Sequence, residues 1–117
     1  MPEYMTNETY VLSIRQRVVV AAGAMLNGTL SFLAGSRLLA ALRHEAAVRE
    51  DDADFRVFVA IDSETDDLPI GTVRQYWDKQ ALEKLEPEIQ AAEVWAKEQG
   101  SKACESLISR FQEKTGV

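Results

Sequence analysis

The chain is poor in the residues from which most catalytic and metal sites are built. It has one cysteine, Cys104, and one histidine, His44. A lone cysteine rules out an intrachain disulfide and matches a reducing compartment. One His and one Cys far apart in sequence do not compose a zinc site. His44-Glu45 opens like the zinc motif H-E-x-x-H, but Val48 stands where the second His is required. Ala41 lies three residues before His44, where a di-iron bundle needs Glu. No G-x-S-x-G turn, phosphate loop or dinucleotide fingerprint is present. Asp62, Glu64 and Asp66 are spaced like the first ligands of a calcium loop. However, Asp67 replaces the required Gly and Val73 replaces the bidentate Glu. The expectation is therefore no catalytic residue, no resident metal and no cofactor. A Ser–His–Asp triad, which assembles only in space, is the constellation a sequence cannot test.

Long uncharged runs are also scarce. Val18–Ser36 is 19 residues without a charge, between Arg17 and Arg37. That approaches a bilayer span, but Asn27, Gly28, Thr29, Ser31, Gly35 and Ser36 dilute it, and Asn27-Gly28 is a turn signal. A helical hairpin fits better than a membrane helix. Glu3 and Glu8 precede the run and no small-x-small site follows it, so a signal peptide is not expected. These features predict a cytoplasmic protein with no membrane contact.

What is present is ordinary globular material. The 117 residues are 46% hydrophobic and 27% charged, which fits one domain able to bury a core without a staple. The net charge is −6. Residues 1–49 carry five Arg and three acids, and residues 69–117 carry seven bases and eight acids. Residues 50–68 carry eight acids against Arg56 alone, so this segment supplies the excess. Such a chain repels phosphate backbones, which argues against nucleic acid and for a basic protein partner.

The hydrophobic spacing predicts a mainly α, four-helix bundle-like domain, with helices at about 7–26, 29–48, 78–99 and 101–114. Residues 1–5 read as a flexible start. Thr6 or Asn7 is positioned to cap the first helix, whose inner stripe is Val11, Ile14, Val18, Ala21 and Met25. Gly23 and Gly35 inside helices imply close helix contacts. Asp78 is placed to cap the third helix. Pro87 is expected to kink or split that helix, and Gly100 to end it before Ser101 caps the next. Segment 54–73 is the ambiguous stretch. Phe55, Val57, Val59 and Ile61 alternate as in a strand, while Phe55, Phe58 and Ile61 are spaced by three. The expectation is an extended segment or short hairpin, with Pro69 confining any second strand to an edge.

Every base before residue 79 is Arg, the residue suited to bidentate carboxylate contacts. This singles out one candidate polar site: Arg37, Arg43, His44, Glu64, Asp66 and Arg74, with Tyr76 and Trp77 as aromatic walls. The competing reading is structural, with the same pairs tying residues 50–77 onto the helices.

The run Asp54-Phe55-x-x-Phe58-x-x-Ile61-x-Ser63-Glu64-Thr65-Asp66-x-Leu68-Pro69-x-Gly71-x-x-Arg74-x-x-Trp77 resembles a small family of uncharacterised bacterial domains. Leu26-Asn27-Gly28 and Gly35-Ser36-Arg37 upstream add to the likeness, which spans roughly residues 25–111. The resemblance implies a bacterial, cytoplasmic setting and a fixed structural role for 54–77. It carries over no functional residue.

Three functions stand open on these grounds. The first is a non-enzymatic interaction module with an acidic surface, of the immunity or antitoxin kind. The second is a small-molecule binder or enzyme using the Arg/acid cluster. The third is a structural homo-oligomer that pairs through apolar helix faces or an edge at 55–61.

Overall fold

The protein is represented by a computed structural model that describes residues 7–116, with side chains through Gln112. The expected flexible stretch 1–5 and the capping role of Thr6 lie outside the described residues. Among the described residues there are four α-helices and one short 3-10 helix: α1 Asn7–Asn27, α2 Phe32–Leu42, α3 Ala53–Thr65, the 3-10 helix Gly71–Tyr76, and α4 Lys79–Gly116. α4 packs against α1, α2 and α3, and α2 packs against α1 and α3. The bundle-like helical architecture is the one expected, but its partition differs from the expected boundaries.

The first two helices meet at the anticipated turn. Gly28 takes φ +88°, a left-handed conformation that suits glycine. The amides of Thr29 and Leu30 then return to the Ala24 carbonyl at 3.0 and 3.1 Å, closing the end of α1. Ser31 caps α2 by accepting from the Ala34 amide at 3.0 Å. Glu93 reaches across from α4, and its Oε1 accepts from the amides of Phe32 (2.8 Å) and Leu33 (3.3 Å). Three of the orphan donors at this helix start are thereby satisfied.

α2 was expected to run to Val48 but ends at Leu42. Ala46 is fully buried, and the chain reaches it by a turn in which Ala47 holds φ +55°. Arg15 of α1 fixes this turn by donating to the carbonyls of Ala46 (2.8 Å) and Ala47 (3.0 Å).

Segment 54–73 is neither extended nor a hairpin. Residues 53–65 form α3, and there is no strand among the described residues. The spacing by three prevails over the alternation: Phe55, Phe58, Ile61 and Thr65 are the buried face. A lone strand would leave its backbone unpaired, whereas a helix satisfies its own. Asp52 starts the helix by accepting from the amides of Asp54 (3.1 Å) and Phe55 (3.2 Å). The proposed edge strand at 55–61, and with it that route to a homo-oligomer, falls away. Beyond α3, Leu68 and Ile70 return to the core, and Gly71 takes φ +69° to enter the 3-10 helix.

Residues 79–116 form one helix, not two. Asp78 caps it as anticipated, accepting from the Ala81 amide at 3.3 Å. Pro87 sits inside it. Pro87 and Glu83, whose carbonyl lacks an amide partner there, both face solvent, so water can satisfy the lost bond. Gly100 does not end the helix. It is buried, and a Cβ there would lie 3.2 Å from Phe58 and 3.4 Å from Phe32. Its role is close approach. Ser101 does not cap but donates back to the Lys97 carbonyl at 2.6 Å.

Among the described residues, two buried positions are polar: Thr65, which donates to the Ile61 carbonyl at 2.7 Å, and Ser36. Ser36 is fully buried and its Oγ has no hydrogen-bond partner. Burying a hydroxyl unpaired is unfavourable, and Ala is the better helix former. Ser36→Ala is expected to raise stability by about 1 kcal/mol, read as a higher melting temperature. A lower melting temperature would mean that the hydroxyl has a partner after all.

Candidate functional site

Arginines do hold the acidic segment to the helices: Arg37 does so as expected, while Arg43 and Arg74 do not pair with it. Arg110 on α4, which sequence reasoning passed over, is the main one. Its Nη2 donates to Asp52 Oδ2 at 2.7 Å, and its Nη1 to Asp52 Oδ1 at 3.1 Å and Asp54 Oδ2 at 2.8 Å. Ser106 adds a 2.6 Å bond to Asp54 Oδ2. Burial pushes the Asp52 carboxyl up. The Arg110 guanidinium and the amides of Phe55 and Asp54 outweigh this and hold it below its ordinary value. The Arg110 and Arg15 guanidiniums lie 5.2 and 5.0 Å from the centre of the Phe111 ring, within cation–π range. Nothing in the spacing of α4 signalled Arg110, because Asp52 and Asp54 lie 58 and 56 residues upstream.

Arg37 behaves as a helix cap. Its Nη2 donates to the carbonyls of Thr65 (2.7 Å) and Leu68 (3.0 Å), where α3 ends, and its Nε lies 3.7 Å from Asp62. A cation there also complements the negative end of the helix dipole. Arg74 pairs with Glu86 of α4 at 3.1 Å, not with the acidic segment. Gln90 and Arg74 both donate to Glu86, whose carboxyl is held below its ordinary value. Both members of that pair are well exposed, so solvent screens it. Asp66 is the exposed C-cap of α3, and Tyr76 and Trp77 face solvent at the 3-10 helix.

The eight proposed site residues therefore separate. Arg43 and His44 line one cleft, Glu64 lines another, and the other five line none of the clefts described below. The first cleft, about 560 Å³, lies between the turn after α2 and the outer face of α3. Val48, Phe55, Val59 and Ala60 give it apolar walls, and Arg43, His44, Arg49, Arg56 and Ser63 give it polar groups. The second, about 350 Å³, lies between the end of α3 and α4. Glu64, Asp67 and Glu88 line it beside Trp95. A third hollow, about 470 Å³, separates α1 from α2 and is largely apolar, with Val20, Leu30, Leu38 and Arg17 in its lining.

Cys104 is buried against Met25, with its Sγ 4.0 Å from Met25 Sδ, and burial pushes its thiol up to about 12. Such a thiol is a core residue, not a nucleophile. Among the described residues, no group of three or more His, Cys, Asp or Glu is arranged to hold a metal ion, and no helix is long and apolar enough to cross a membrane.

No protein-family model, curated protein or solved structure matches the chain.

Proposed function

We propose that the protein is a non-enzymatic interaction module whose acidic surface receives a basic partner, in the manner of immunity or antitoxin proteins. One observation carries this reading. Glu64, Asp67 and Glu88 line a single cleft, none has a cationic partner among the described residues, and Trp95 stands exposed beside them. Some acids elsewhere do have a cation: Asp52 and Asp54 have Arg110, and Glu86 has Arg74. Unanswered carboxylates next to an indole suit a Lys or Arg side chain, which gains both charge attraction and a cation–π contact. The resemblance of 54–77 to bacterial domains and the single cysteine support a bacterial cytoplasmic setting.

The test is capture from the native lysate on immobilised protein, at low and high ionic strength. A basic protein should be retained by the wild type at low salt. It should be lost at high salt, and also by the triple variant Glu64→Gln, Asp67→Asn, Glu88→Gln. If no basic protein is retained at low ionic strength, the reading fails.

A further inference from the structure

The cleft between the turn after α2 and α3 is walled by arginines in a chain of net charge −6. We infer that it binds an amphipathic organic anion, an oxyanion head carried on an apolar body. The site is independent of the acidic cleft discussed above and shares no residue with it.

Three observations converge. The volume of about 560 Å³ lies within the ~300–1,000 Å³ range of small-molecule sites. Val48, Phe55 and Val59 offer the apolar body a place out of water. Arg43 and Arg56 face the same space, and neither has a carboxylate among the described residues, although acids outnumber bases in this chain. Arg49 is already held by Asp51 at 3.0 Å, which leaves Glu50 as the one opposing acid in the lining without a partner.

Arg43 is the stronger argument. Its Nε is shut off from water and has no acceptor. A buried donor without an acceptor is unfavourable, and an oxyanion seated against this guanidinium supplies the interaction the fold withholds. The backbone that carries the cleft wall is also held in an uncommon shape. Ala47 is left-handed without being glycine, and Arg15 pins it there. Strain of this kind persists where surrounding contacts over-determine it, and it clusters at ligand sites. A guanidinium fork suits carboxylate and phosphate heads alike, so the two must be separated by experiment.

Isothermal titration calorimetry on the full chain, with octanoate, octyl phosphate, octanol and inorganic phosphate as probes, tests the inference. Octanoate or octyl phosphate should bind, the tighter of the two identifying the head. Octanol and inorganic phosphate should each bind at least ~10-fold more weakly. Arg43→Gln and Arg56→Gln should each weaken the anion by ~10-fold. Arg17→Gln, in the apolar hollow between α1 and α2, should leave it unchanged. Should Arg43→Gln fail to fold, Arg56→Gln, on the exposed wall, decides alone. The triple acid variant should bind the anion normally, so this outcome is separate from that of the partner capture. Absence of binding by both amphipathic anions, equal binding of octanol, or loss confined to Arg17→Gln would overturn the inference.

Discussion

Phe58→Ala is expected to lower stability by ~3–5 kcal/mol, seen as a fall in the urea midpoint at unchanged slope. Phe58 is completely buried on α3 and meets α4 at Gly100, where a Cβ would stand 3.2 Å from its ring edge. Phe32 of α2 closes the same point at 3.4 Å. Three helices thus share one ring, and truncating it opens a cavity that none of them can close alone. The loss should be partly recoverable. In the wild type, an added methyl at position 100 presses on two rings, which offsets the ~1 kcal/mol of helix propensity that Ala holds over Gly. In the Phe58→Ala background that pressure is gone. Gly100→Ala should therefore be more favourable there than in the wild type, by ~1 kcal/mol in a double-mutant cycle. Additive effects would show that the two positions do not share the space the structure gives them.

Arg110→Met should cost ~2 kcal/mol at neutral pH. The figure lies between the ~0–1 of an exposed pair and the ~3–5 for breaking a buried one. The side chains of Asp52 and Asp54 are 10% and 20% exposed, but that of Arg110 is 37% exposed, so solvent screens part of the interaction. The pH dependence gives an independent check. The Asp52 carboxyl is held below its ordinary 3.8, so the native state binds fewer protons than the unfolded chain in that region. Its contribution is complete above the unfolded value and disappears as pH falls through the depressed native one. Wild-type stability should therefore drop below about pH 5, and Arg110→Met should drop less over the same window, so that the two curves converge. Curves that stay parallel into acid would show that the guanidinium does not set the Asp52 carboxyl.

Much of the stretch from Asp54 to Trp77 has a structural role. Phe55, Phe58, Ile61 and Leu68 are core, Gly71 is a left-handed turn, and Arg37 ties off α3. Gly35 is fixed by Met25, whose side chain fills the space a Cβ there would take. Glu64, Thr65 and Leu68 of this stretch line the acidic cleft.

Several features were legible in the residues alone, because they rest on local chemistry. The helical class, the Asn27-Gly28 turn and the Asp78 cap each follow from spacing, backbone permissiveness or a side chain bonding a near amide. The choice between strand and helix at 55–61 was not local. It depended on whether another strand existed to pair with it, and the inner face of α3 needed the core of α2 and α4 instead. Gly100 has the same signature whether it ends a helix or admits a neighbouring ring, and only the position of Phe58 decides between them. The partners of the arginines were the least legible of all. Charge attraction carries no sequence separation, so Arg110 could be assigned to Asp52 and Asp54 only once α4 lay beside the start of α3.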